Sequence, residues 1–164
     1  MARVYVSIGS NVDRAMHIRS AVENLANRFS PLILSSVYDC PAVGFVGDNF
    51  YNLVTGFDTD IPVERLIAEL HNIEQAHGRV RNGQHFGSRT LDLDVLLYGD
   101  LIRHDKLVDV PRRETLEHAY VLWPLVEIAP EYLHPETKQS LLAHWNEIQR
   151  RTATLAKTEF NPLK

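Results

Sequence analysis

An α+β sandwich, an antiparallel sheet carrying two helices on one face, is predicted for this chain by three observations. Short β-branched runs alternate with two amphipathic stretches, clusters of glycine, asparagine and proline separate them, and their order through residue 100 is β-α-β-β-α-β. That is the ferredoxin-like order, here with additions at the C-terminal end. The 164 residues, 45% of them hydrophobic, suit one domain spanning 1–164.

VYVSIG at 4–9 is a strand ended by the turn residues Gly9, Ser10 and Asn11. A helix from about Asp13 to Arg28 follows, because Ile18, Ala21, Val22, Leu25 and Ala26 recur at three- and four-residue steps. LILSSVYD at 32–39 and FYNLVTGFDT at 50–59 are two strands joined by the turn-rich CPAVGFVGDN. Pro62 opens a second helix up to Gly78, its buried face marked by Leu66, Ile67, Leu70, Ile73 and Ala76. RVRNGQHFGSR has no periodicity and leads into the strand TLDLDVLLYG. Beyond it, LIRHDKLVDVP gives one more short strand and a loop, AYVLWPLVEIAP a packed segment ended by Pro130, and 138–150 a last helix.

Seventeen Lys and Arg against 21 Asp and Glu, net charge −4, argue against a general nucleic-acid binder and leave no polybasic membrane anchor. Any anion site has to be local. One cysteine, Cys40, rules out an internal disulfide, and no apolar run approaches the roughly 20 residues of a membrane span. With no signal-peptide core at the N-terminus, a cytoplasmic monomer is expected.

Asp92 and Asp94 stand out. Residues two apart on a strand share a face, with Cβ atoms about 6.5 to 7 Å apart, and Leu91, Leu93 and Val95 point the other way. The plain alternative is a solvated face of an edge strand. Strongly apolar neighbours, Leu96 among them, instead suggest a central strand. Two carboxylates in a partly dry site repel unless a cation joins them, and Mg²⁺, held by one or two carboxylates plus substrate phosphates, is the economical choice. Just upstream, Arg79, Arg81 and Arg89 lie on one glycine-containing segment without an acid. Single arginines are ordinarily surface solvators. Three beside a carboxylate pair form a polyphosphate clamp. There is no Walker lysine and no G-x-G-x-x-G, so the phosphate site is of another kind.

The string GRVRNGQHFGSRTLDLDVLLYGD, with IGSN before it, FYNLV in the middle and LWPLVEIAP after it, resembles the 6-hydroxymethyl-7,8-dihydropterin pyrophosphokinases of folate biosynthesis, from about residue 2 to 150. The resemblance implies transfer of a pyrophosphoryl group from ATP to the pterin hydroxymethyl group, giving AMP, on a ferredoxin-like fold with two Mg²⁺ ions. By position, Asp92 and Asp94 would hold the metals, and Arg79 and Arg89 would pair with phosphates. Arg81 would lie on a loop closing over ATP, and Glu74 would meet the ribose. Asn52 would read the pterin amide edge, Phe86 and Tyr120 would supply aromatic faces, and Pro41, Val43 and Gly44 would line the pterin pocket. Asn in a strand is itself unusual and asks for a hydrogen-bonding reason.

The departures lie in VPRRETLEHAYVLWPL, where the family commonly has V-P-H-P-R and a further arginine. Arg112 stands in the histidine position, Arg113 follows it, and His118 takes the arginine position. Phe86 replaces a common tryptophan, Tyr120 a common phenylalanine, and Cys40 a common threonine. Arg112 and His118 are thus expected at the nucleotide phosphates with charge exchanged between them. Two other readings are open: a divergent relative that binds ATP or pterin with altered substrate or little turnover, and a metal-free phosphate enzyme of the acylphosphatase type.

Overall fold

The computed structural model describes residues 1–42, 46–78, 91–149 and 156–164. Its frame is β1 (Ala2–Ser10), whose β-branched run lies between two partner strands. On one side β1 pairs antiparallel with β4 (Phe50–Thr59), from Ala2↔Thr59 to Ser10↔Tyr51; on the other it pairs antiparallel with β5 (Asp92–Tyr98). The expected strand at 32–39 is two pieces, β2 (Ile33–Leu34) and β3 (Tyr38–Cys40), both antiparallel to β4. Side-chain hydroxyls cause the break. Ser35 Oγ accepts from the Val54 N–H, and Thr55 Oγ1 donates to the Ile33 carbonyl, competing with a regular ladder.

Helix α1 (Arg14–Phe29) buries Ile18, Ala21, Val22, Leu25 and Phe29. Helix α2 (Val63–Ala76) buries Val63, Leu66, Leu70 and Glu74. Both pack on one face of the sheet with Val4, Val6, Ile8, Leu53, Phe57, Leu93 and Val95, and the Phe29 and Phe57 rings stack at 4.5 Å. The burial of α2 departs from expectation in its last turn: the stripe runs 63, 66, 70, 74, so Glu74 is covered while Ile73 is half-buried and Ala76 exposed.

The opposite face is covered by α4 (Ala119–Ile128), reached through the single turn α3 (Glu114–Glu117). Val121, Leu122, Leu125 and Val126 bury Tyr5, Val54, Leu96 and Leu97, and α5 (Leu141–Ile148) closes this layer. Trp123 and Trp145 stack between α4 and α5 at 4.7 Å, so Trp145 packs with the α4 layer. Helix α5 starts later than the expected residue 138, because the Ser140 hydroxyl caps it by accepting from the Ala143 N–H.

Three further elements differ from expectation. LIRHDKLVDVP forms a hairpin, β6 (Arg103–His104) with β7 (Asp109–Val110), turned by the Asp105 carboxylate accepting from the N–H groups of Leu107 and Val108. A short β8 (Ala156–Lys157) adds to β3. Strand β5 is not central. It ends the order β5-β1-β4-β3-β8, and its apolar character comes from layers on both faces rather than from strands on both sides. No helix among the described residues is long and apolar enough to cross a membrane.

Candidate active site

The aspartate pair sits where β5 meets β1. Asp92 pairs with Gly9 and Asp94 with Ser7; across β1, Gly9 pairs with Asn52 of β4, which pairs with Tyr38 of β3. Cross-strand partners share a face, so Asp92, Gly9, Asn52 and Tyr38 form one row on the α4 side. At about 4.8 Å per strand, the Asp92 and Asn52 positions lie roughly 10 Å apart, with only a glycine between them. The floor is tight there: a Cβ on Gly9 would meet Asn52 Oδ1 at 2.8 Å. Asn52 also hydrogen-bonds the buried Cys40 thiol, which burial pushes up in pKa despite that contact.

Beyond the aspartates the pairing of β5 with β1 is irregular. Between Tyr5 and Val6 the β1/β5 pairing slips by one residue, so Leu96 and Leu97 both turn toward α4 while Val95 stays under α1 and α2. The bulge lets one short strand end in a packed corner and begin in a polar site.

A second wall comes from the segment after β7. The Arg112 N–H donates to the Leu96 carbonyl at 2.9 Å, which ties that segment to β5. Its guanidinium stands 3.6 Å from Asp94 Oδ1 and 3.4 Å from Glu114 Oε2, ion pairs rather than short hydrogen bonds. Burial opposes its charge, but Asp94, Glu114, Asp92 and Asp109 outweigh burial and raise its pKa. The ring of His118, at the mouth of α4, stacks on Tyr120 at 5.0 Å and 13°. Burial, then the negative charge of Cys40, Glu114, Asp92 and Asp94, raises the Tyr120 phenol. The phenol thus lies within the field of the same acids that surround Arg112.

Asp92, Asp94, Asn52, Arg112, His118 and Tyr120 are thus brought to one side of the sheet. Pro41 is exposed just after β3. Glu74 has a different setting from that expected of a ribose ligand: it is fully buried, and its Oε2 accepts from the N–H of Leu93, between the two aspartates. Arg79, Arg81, Phe86, Arg89, Val43 and Gly44 lie outside the described residues. Two residues were not foreseen. Gly9 leaves no signal beyond a glycine at a strand end, and Glu114 lies among the charges of VPRRETLEH. A cleft of about 570 Å³ opens beside the β6–β7 hairpin, with Arg112, Arg113 and His104 on its wall and neither aspartate.

Two half-exposed carboxylates on one strand face are hard oxygen donors, and they fit Mg²⁺, which keeps several waters and shares substrate oxygens. Among the described residues, no group of three His, Cys, Asp or Glu could cage an ion alone. Of the described residues, Asp92 and Asp94 alone offer such a cation adjacent carboxylates on this strand face, and water and substrate oxygens would complete its shell.

Comparisons with known proteins bear on the same residues. The family model of 7,8-dihydro-6-hydroxymethylpterin-pyrophosphokinase (HPPK) matches residues 5–130. A 2-amino-4-hydroxy-6-hydroxymethyldihydropteridine pyrophosphokinase of Aquifex aeolicus is 34% identical over 86% of this chain and 89% of its own. The enzyme of that name from Methylorubrum extorquens is 36% identical over 87% of this chain and 93% of its own. The folic acid synthesis protein fol1 of Pneumocystis carinii is 33% identical, but the match covers 20% of that longer protein. In fold, the chain is similar to wild-type Plasmodium falciparum HPPK-DHPS, with a TM-score of 0.70 and 14% identity over 92% of this chain and 45% of that one. With the family model spanning most of the sheet, α1, α2, the aspartate pair and the Arg112 segment, the chain belongs to the 7,8-dihydro-6-hydroxymethylpterin-pyrophosphokinase family.

Proposed function

We propose that this protein transfers the terminal pyrophosphoryl group of ATP to 6-hydroxymethyl-7,8-dihydropterin, with Mg²⁺, in folate biosynthesis. The observation that carries the reading is the row Asp92–Gly9–Asn52, with Asp94 two residues further along β5 on the same face. It presents carboxylates at one end and, at the other, the Asn52 amide reaching over Gly9, which adds no side chain of its own between them. A flat two-ring heterocycle with a one-carbon arm fits that row, its amide edge on Asn52 and its hydroxyl toward the aspartates.

In the reaction, the hydroxymethyl oxygen bonds to the β-phosphorus of ATP, the bond from that phosphorus to the α,β-bridging oxygen breaks, and AMP leaves. The hydroxyl proton passes to water. Asp92 and Asp94 are the residues to hold Mg²⁺, two ions being expected. Bound there with the nucleotide, the metal supplies charge neutralisation for the phosphate oxygens. This chain's side chains bind and orient. Tyr120 gives the pterin an aromatic face, and Arg112 supplies a permanent cation beside the phosphates. Arg79, Arg81 and Arg89 would complete the polyphosphate grip, Phe86 a second aromatic face, and Pro41, Val43 and Gly44 the pocket rim. His118 acts mainly by holding the Tyr120 ring. Glu74 serves the nucleotide side by fixing the strand between the aspartates.

The chain order βαββαβ and the antiparallel order β5-β1-β4-β3 are what support a ferredoxin-like description of this one domain. We also read it as a cytoplasmic monomer. The family membership favours a working enzyme over a binding-only relative.

Incubating the protein with Mg·ATP and 6-hydroxymethyl-7,8-dihydropterin is expected to give AMP and the pterin diphosphate in equal amounts; neither product forming would sink the proposal. Asp94→Asn is expected to keep the fold and lose at least about a hundredfold in turnover, since a charge on the metal is removed at the reacting phosphates. Full activity in that variant would overturn the metal assignment.

A further inference from the structure

We infer that Arg112 is the resting counter-ion of Asp94 and has to yield that carboxylate to the incoming cation, so that the divalent ion enters well only together with a polyphosphate. The inference rests on the reading of this site as a metal and polyphosphate centre.

The guanidinium has no independent backbone freedom. The Arg112 backbone N–H donates to the Leu96 carbonyl, and the Arg112 backbone carbonyl accepts from the Thr115 N–H. Only the side chain can move. It is placed between Asp94 at 3.6 Å and Glu114 at 3.4 Å, a third of it open to solvent, and it stands on the wall of the 570 Å³ cleft. The long ion pair binds by charge rather than by a fixed hydrogen bond, and the cleft and Glu114 offer the guanidinium somewhere else to go.

A divalent ion between Asp92 and Asp94 would sit close to this fixed positive charge. The two cations compete for Asp94 when nothing else is bound. A polyphosphate reverses the sign, because its oxygens attract metal and guanidinium alike. Arg112 therefore weakens the site for the bare ion and strengthens it for the ion with its nucleotide. An imidazole, mostly neutral near pH 7, cannot do both. Arg112 is on this account a positioning residue that makes metal entry depend on phosphate.

The full-length protein, with Mn²⁺ as the probe, tests this by titration calorimetry and by electron paramagnetic resonance of the free ion. Arg112→Ala is expected to bind bare Mn²⁺ roughly two- to fivefold tighter than wild type, as suits a half-exposed ion pair. It should bind Mn²⁺ with α,β-methylene-ATP at least about fivefold more weakly. Arg112→Lys, which keeps the charge, should stay close to wild type for the bare ion. Circular dichroism checks that both variants fold. A merely structural role would move both affinities the same way; equal or weaker binding of bare Mn²⁺ by a folded Arg112→Ala overturns the inference while leaving the site reading intact. A wild type that binds neither bare Mn²⁺ nor Mn²⁺ with the nucleotide analogue overturns the site reading, and the inference with it.

Discussion

Gly9→Ala separates the fold from the recognition of substrate in one methyl group. Gly9 is not among the glycines with positive φ, so alanine meets no backbone strain there. On the sheet it should be neutral or gain about 0.4–1 kcal/mol from reduced freedom of the unfolded chain. The new Cβ, however, falls 2.8 Å from Asn52 Oδ1, where ordinary contact begins near 3.4 Å. The amide has to retreat by about 0.6 Å or turn, and it does so away from the edge it is proposed to read. Losing its pair of hydrogen bonds costs about 1–3 kcal/mol, a five- to hundredfold weaker hold on the pterin. Pterin fluorescence titration against wild type and variant measures that loss, thermal unfolding checks the fold, and Mg·ATP titration should be unchanged. A folded variant that binds the pterin as tightly as wild type would refute the row of Asp92, Gly9 and Asn52 as the substrate floor.

Two other perturbations test the frame. Gly56→Ala also places a Cβ 2.8 Å from a side chain, but here the neighbour is Tyr5, buried and packed edge-on against Tyr132 at 5.3 Å. A ring in that position cannot turn away, so about 1–3 kcal/mol of stability should be lost, read as a lower urea midpoint; an unchanged midpoint would show that the sheet shifts to admit it. His104 lies between Asp109 at 2.6 Å and Glu136 at 3.2 Å, and Asp109 foremost raises its pKa above the ordinary 6.5. The folded state then holds the proton more tightly than the unfolded one. The gain is complete below 6.5 and fades as pH rises through the folded value. His104→Gln should therefore lower the melting temperature at about pH 5.5 and matter little at about pH 9; equal differences at both would remove His104 as a charged link.

The sequence shows most clearly what depends on local pattern. FYNLVTGFDT is strand β4 to the residue, and the two-residue step of Asp92 and Asp94 does put both on one face. What depends on tertiary closure is hidden. A run such as LDLDVLLY reads as central because apolar neighbours usually mean strands on both sides. In this fold α4 covers one face and α1 with α2 the other, and the open edge is served by single groups: the Glu74 carboxylate on the Leu93 N–H and the Arg112 N–H on the Leu96 carbonyl. Neither partner is visible in a hydropathy pattern. The same holds for Glu74, which looks like a polar residue on a helix until the 63, 66, 70, 74 stripe carries it inside.

Edge position has a chemical consequence. A central strand would have its N–H and C=O groups taken by two neighbours, and its polar side chains would be walled on both sides. Among the described residues, Asp92 and Asp94 have a strand, β1, on one flank only, and the other flank is built by separate pieces. Those pieces set the local charge. Arg112 is fastened through its backbone to the same strand that carries the aspartates, so its guanidinium tracks them. His118 is fastened to α4 and turns its ring flat against Tyr120. Arg112 thus puts a permanent positive charge on the carboxylate wall, and His118 stands beside Tyr120. The His118 ring lies flat on Tyr120, and a guanidinium beside Asp94 offsets the repulsion between two carboxylates two residues apart on one strand face. Both placements follow from where the backbone is tied, and together they keep the stacked His118 and Tyr120 rings and the Arg112–Asp94 ion pair on separate walls of the candidate site.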